Sequence, residues 1–236
     1  MSLPSGHEQL LAEMGRQRGD ALETIARLRG QAGSHAALIA DAGRLVLLGM
    51  GGSHWINRAA EPHYRACRID ATAHVLSEAM RAPLAGRSQL RIVTSQSGAS
   101  GEIVRYLDEH PGSDRIIGMT LDPDSPLAKN SQALIGAGGV ETAYAATRSL
   151  VVTLAMHAVL LEALGADIAG FEAALLAEDA ELDSSRSCSS SSCTRRRAAA
   201  SSFLLAPPSP ALGGFGGAAC THRIPLPIAC QNHAVS

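Results

Sequence analysis

The stretch with the densest chemistry is Thr94–Gly101, TSQSGASG. It follows the apolar run Leu90–Val93 and opens into Glu102–Leu107, the pattern of a short strand, a serine-rich turn and a helix start. The first amides of a helix lack intrahelical partners and carry the positive end of its dipole, so such a turn is a seat for an anion. Ser95, Ser97 and Ser100 can each donate a hydroxyl to a phosphate oxygen, Gln96 can donate through its amide, and Gly98 lets the backbone approach closely. Such a seat needs no lysine.

A second turn, GMGGSHW from Gly49, follows the apolar run Arg44–Leu48. As a dinucleotide fingerprint it supplies Gly49-x-Gly51 but has His54 where the third glycine belongs, with Asp70 as the only acidic partner at about 20 residues' distance. The better reading is a second phosphate or sugar loop, in which Ser53 caps a helix His54–Ala66 and turns its hydroxyl to the same ligand. A plain strand-to-helix turn, its serine only a cap, would explain either loop alone. Two such loops, each after a buried-type strand, argue against it.

These turns need a frame. The sequence predicts helices over Glu8–Arg29 and Ser34–Ala42, the latter with Ser34 as N-cap. Strands are expected at Arg44–Leu48, Ala71–Leu76, Leu90–Val93, Arg115–Leu121 and Gln132–Gly136, separated by helices at His54–Ala66, Ser77–Arg81, Ala99–Glu109 and Ser125–Lys129. That alternation is the signature of an α/β fold: a three-layer αβα sandwich around a five-stranded parallel sheet, with the ligand beyond the carboxyl ends of the strands. A long apolar helix, Ala143–Leu164, should place Leu150, Leu154, His157, Leu161 and Leu164 inside or against a partner subunit, His157 being read as a core histidine.

Composition bounds the function. With 236 residues and 46% hydrophobic content the chain can bury a full core, and a net charge of −2 argues against nucleic acid. The start has no basic and apolar leader, and Leu150–Leu164 is interrupted by His157 and Glu162, so no membrane segment and a cytoplasmic address are expected. Four of the five cysteines lie after Asp183, which fits a reduced compartment without a disulfide framework.

Together GMGGSHW, the Ser77-Glu78 pair, TSQSGASGEI and Gly139–Leu150 (GVETAYAATRSL) resemble a sugar isomerase (SIS) domain, most of all the isomerase half of glucosamine-6-phosphate synthase, and EMGRQRGDAL from Glu13 resembles the short helix before that half. The match covers about Glu8 to Leu164. The resemblance implies a flavodoxin-like SIS fold and a hexose or amino-sugar 6-phosphate whose phosphate is held by Ser53, Ser95, Gln96, Ser97 and Ser100. It also implies a sugar-lining turn at Tyr144, Ala145, Ala146 and Thr147, where the family usually has valine and serine in place of Tyr144 and Ala146. Gly52 stands where a threonine is common, and Ser100 where threonine is usual.

Aldose–ketose interconversion needs a carboxylate to move a proton between two carbons and a group that assists ring opening. For a single-domain enzyme of this type the candidates are Glu141, Glu78 and His54. Glu78 has a competing structural role at a helix start, and His54 a competing one as a first-turn surface residue. Set against the two-part synthases it resembles, the chain is expected to lack their glutaminase nucleophile, since Ser2 follows Met1. No cofactor and no metal are expected, and a homodimer is expected to cover the apolar helix and close the site.

From Ser184 the character changes. The last 53 residues contain eleven serines and five arginines but no Asp, Glu or Lys, whereas the preceding part has fifteen basic and twenty-two acidic residues. The expected division is therefore an N-terminal helical segment 1–42, a phosphosugar-binding domain 43–183, and a low-complexity tail 184–236, disordered or produced by a change of reading frame that replaced a second SIS domain. Cys220, His222, Cys230 and His233 lack the frame a metal site requires. Two functions follow: a truncated enzyme of the isomerase, aminotransferase or deaminase type, or a non-catalytic sugar-phosphate sensor.

Overall fold

A computed structural model of the chain describes residues 6–84, 88–111 and 115–177. The tail from Ser184, with its four cysteines, lies outside the described residues.

Two helices, α1 (Gly6–Leu28) and α2 (Ala32–Asp41), precede β1 (Arg44–Gly49) and α3 (Gly51–Ala66). There follow β2 (Ala71–Val75), α4 (Leu76–Arg81), β3 (Gln89–Thr94), α5 (Gly101–Glu109), β4 (Ile116–Thr120), α6 (Pro126–Lys129), β5 (Gln132–Ile135), α7 (Arg148–Ala163) and α8 (Ala169–Leu176). The five strands form one parallel sheet in the order β2-β1-β3-β4-β5.

Successive residues of β1 divide between the faces, as the two-residue period of a strand requires. Leu45 and Leu47 join a core with Ala21, Ile25, Ile39, Tyr64, Met156 and Leu160, from α1, α2, α3 and α7. Val46 and Leu48 join a second core with Leu76, Ile103, Tyr106 and Leu127, from α4, α5 and α6. The expected three-layer α/β sandwich is thus present, and its strands read as continuous apolar runs because helices cover both faces.

Several element ends differ from expectation. Ser34 does not cap α2: the helix begins two residues earlier behind Gln31, and Ser34 Oγ donates to the Gln31 carbonyl at 3.2 Å. Ser53 is likewise no cap, because α3 starts at Gly51, whose φ of 51° turns the strand into the helix, with Met50 as N-cap. The expected helix Ala143–Leu164 starts only at Arg148. Helix α8, with Phe171 and Leu175 buried against the α1 side, was not expected at all.

Helix α7 is sunk between α1, α2, α3 and the sheet, with eleven of its sixteen residues buried. His157 sits there without exposure, its Nδ1 3.1 Å from the Tyr64 hydroxyl and its Nε2 3.0 Å from Asn57 Oδ1. Asn57 Oδ1 accepts, so Nε2 carries the proton and Nδ1 accepts from Tyr64. Burial pushes the imidazole down to about 3, so it is neutral, the core histidine that the sequence suggested.

Candidate functional site

In the order β2-β1-β3-β4-β5 the chain reverses direction between β1 and β3, which opens a crevice at their carboxyl ends. Gly49 pairs with Thr94, so the two strands end level and their following turns face each other. A cavity of about 210 Å³ lies there. Gly52 and Ser53 of α3, Thr94, Ser95, Gln96 and Ser100 of the serine loop, and Ala146, Ser149 and Thr153 at the start of α7 line it, with Met50, Ile103 and Leu150 as its apolar wall. No charged side chain is among these lining residues.

The serine loop is built to come close. Gly98 has φ of 59°, and a Cβ on it would stand 2.3 Å from Ser125 Oγ and 2.9 Å from Thr120 Oγ1. Ser95 Oγ accepts from the Gly98 amide at 3.2 Å, which leaves its own proton for the cavity. Ser100 is the N-cap residue of α5, yet its side chain bonds no amide of that helix. Neither does any side chain cap α3. Two helix N-termini therefore meet the cavity with no side-chain cap among the described residues, although the Ser53 amide of α3 bonds the Met50 carbonyl at 3.1 Å.

The third N-terminus at the cavity, that of α7, is treated differently. Glu141 Oε1 accepts from Thr147 N at 2.8 Å, Thr147 Oγ1 at 2.7 Å and Arg148 N at 3.1 Å, while Oε2 accepts from Ser149 N at 3.0 Å and from the Ser149 hydroxyl. Burial opposes ionisation of this carboxyl, but the bonds from Ser149 and Thr147 outweigh it and hold Glu141 below its ordinary range. A carboxylate with five donors on it is a helix cap. Glu141 is also not among the residues that line the cavity.

Glu78 is exposed on α4 and does not line the cavity either. His54 is half-buried beside Trp55, with ring centroids 5.4 Å apart, and its Nδ1 is buried without a partner; it too is off the cavity wall. Of the phosphate candidates, Ser53, Ser95, Gln96 and Ser100 are brought together, whereas Ser97 is not on the wall and its Oγ faces the Ala99 amide at 3.5 Å. Of the sugar-lining candidates, Gly52 and Ala146 line the cavity; Tyr144 is 76% exposed against the start of α1, and Thr147 is held by Glu141. Ser149 and Thr153 were missed by sequence reading, because their i, i+4 placement in an apolar helix looks like core.

The loop before α7 is fixed from α1 as well. Glu13 accepts from Thr142 N at 3.1 Å and from Arg148 Nε, and the fully buried Arg148 also reaches Asp20 at 3.0 Å and the Gly139 carbonyl at 2.9 Å. Burial raises the Glu13 pKa, but Thr142 and Arg148 more than reverse that.

No protein-family model and no curated protein matches this sequence. Solved structures do. The C-terminal domain of glucosamine-fructose-6-phosphate aminotransferase from Francisella tularensis superposes with a TM-score of 0.59 at 19% identity, covering 71% of this chain and 52% of that one, so this chain spans about half of that protein's length. Tagatose-6-phosphate ketose/aldose isomerase from Escherichia coli gives a TM-score of 0.54 at 18% identity over 63% of this chain and 46% of that one. The chain has the sugar isomerase (SIS) fold. The sugar isomerase domain of the RpiR transcription factor from Sphaerobacter thermophilus shares that SIS fold, with a TM-score of 0.53 at 18% identity over 71% of this chain and 96% of that one. None of the helices among the described residues is long and apolar enough to cross a membrane.

Proposed function

We propose that this chain binds the phosphate of a phosphorylated sugar in the cavity between β1 and β3. One observation carries the reading: α3 and α5 bring uncapped N-termini to a cavity lined by Ser53, Ser95, Gln96 and Ser100, whereas α7 beside them has its N-terminus occupied by Glu141. The first two ends attract an anion and the third is already neutralised. A phosphate there is held by neutral donors, which suits a ligand that must leave again. Calorimetric titration with fructose 6-phosphate and with fructose tests this. The phosphorylated sugar should bind and the plain sugar should not; equal binding of both would defeat the reading.

The ligand class is a hexose or amino-sugar 6-phosphate, and the chain is a binding unit of the isomerase, aminotransferase or deaminase type. Because the lining residues include no carboxylate and no imidazole, proton transfer in such an enzyme would draw on a second copy of the chain in a homodimer. The same lining favours the second reading, a non-catalytic sensor, and one SIS-fold neighbour is a transcription factor. Exchange of the carbon-bound proton beside the carbonyl of fructose 6-phosphate in deuterated water separates the two, since a sensor binds and exchanges nothing.

A further inference from the structure

The cavity's hydroxyls fall into two sets according to where their protons go. Ser95 Oγ accepts the Gly98 amide at 3.2 Å, and Ser53 and Ser100 bond no acceptor among the described residues, so these three can donate into the cavity. The other three lining hydroxyls, two on α7 and one at the end of β3, spend their protons inside the protein. Ser149 Oγ donates to Glu141 Oε2, Thr153 Oγ1 donates to the Ser149 carbonyl at 2.7 Å, and Thr94 Oγ1 donates to Asn57 Oδ1 at 3.0 Å. A hydroxyl whose proton is committed can offer a ligand only its lone pairs. These three side chains are buried at 2%, 4% and 1% exposure, so their geometry is fixed by packing rather than chosen by solvent.

We propose that Ser149 and Thr153 of α7, continued by Thr94 at the end of β3, form an acceptor wall that reads the hydroxyl-bearing face of the ligand, and that they set specificity for a polyol phosphate. The proposal rests on the phosphosugar reading and extends it. With the phosphate on the donor side, the sugar chain runs toward α7, where its hydroxyls donate to Thr153 and Ser149. A carbonyl or acyl oxygen turned to that wall would meet only lone pairs and lose its water without replacement. The polarity of the site therefore orients the ligand: phosphate to α3 and α5, hydroxyls to α7.

Thr153→Val is the clean variant, since it keeps the shape and removes only the hydroxyl, whose acceptor is a carbonyl within its own helix. Titration of the full chain with glucitol 6-phosphate and with inorganic phosphate gives the readout. Thr153→Val should weaken glucitol 6-phosphate roughly fivefold to tenfold and leave inorganic phosphate unchanged, and Thr153→Ser should restore the wild-type value. Thr94→Val should repeat the pattern and serves if Thr153→Val does not fold. Unchanged glucitol 6-phosphate affinity in the valine variants, or an equal loss in Thr153→Ser, would overturn the acceptor wall. Failure of the wild type to bind either compound would instead remove the phosphosugar reading itself, and the wall with it.

Discussion

The backbone N–H of Glu141 donates to the side-chain carbonyl of Gln96 across 3.3 Å, joining the loop before α7 to the serine loop after β3. The bond fixes which end of the Gln96 amide is free. Its carbonyl is engaged by Glu141, so the NH2 group is the part left to a ligand in the cavity that Gln96 lines. Gln96→Glu keeps the shape but exchanges that donor for a negative acceptor. Affinity for fructose 6-phosphate should fall by about 1.5–3 kcal/mol, tenfold or more, with an unchanged melting temperature. Wild-type affinity in this variant would take Gln96 out of the seat.

Glu141 accepts five hydrogen bonds at the start of α7, so its replacement should be read first in stability. Glu141→Gln puts an NH2 group among five donors and should cost about 1.5–3 kcal/mol in urea unfolding at pH 7. The sign with pH follows from its depressed folded pKa. The wild type keeps this contribution above the unfolded carboxyl's range and loses it as pH falls through the lower folded value, whereas the variant has nothing there to lose. A variant as stable as the wild type, with the same acid profile, would show that the cap is not what holds α7.

His157 makes the opposite kind of test, because it is buried in its neutral form with a pKa of about 3. Below the ordinary imidazole range the unfolded chain takes up a proton that the folded chain refuses. Stability should therefore decline as pH falls from about 6.5, with a slope approaching 1.4 kcal/mol per unit before the carboxylates titrate. His157→Gln should be less stable at pH 7, since Tyr64 and Asn57 lose their fitted partner, but flatter between about pH 6.5 and 5. Parallel profiles for the two proteins between those values would count against the assignment.

Gly98 and Gly139 form a matched pair for the serine loop. Both have positive φ, 59° and 72°, but a Cβ at Gly98 would strike Ser125 and Thr120 while one at Gly139 meets nothing within 4 Å. Gly139→Ala should cost only the backbone term, about 1 kcal/mol, and Gly98→Ala should cost more and weaken fructose 6-phosphate binding as the loop shifts. Equal effects on unfolding and on binding would mean that the loop does not need its close approach to Ser125.

What the sequence reveals and what it hides differ in distance along the chain. Strands β1 and β3, with their glycine and serine endings, were legible because strand, turn and helix start are neighbours in sequence, whereas the pairing of Gly49 with Thr94 is seen only in the structure. What was not legible depends on long-range bonds. Residues Ala143–Thr147 looked like the first turn of α7, yet Glu141 caps that helix from six positions before Thr147, a pattern outside the usual serine or aspartate cap. The Glu13–Arg148 pair spans 135 residues, and nothing local announces it. Candidate acids were chosen by residue type, and only the geometry showed one of them turned to a helix end and the other facing solvent.

The phosphate seat proposed here consists of neutral donors placed after β1 and β3. It is tested by titrating fructose 6-phosphate into the wild type and the Ser95→Ala/Ser100→Ala double variant, with thermal unfolding of both as the control. Neither hydroxyl donates inside the protein among the described residues, so the variant should keep a similar melting temperature while its affinity falls by about 2–4 kcal/mol, roughly thirtyfold to a thousandfold. A double variant that folds and binds as the wild type does would place the phosphate elsewhere and overturn the seat.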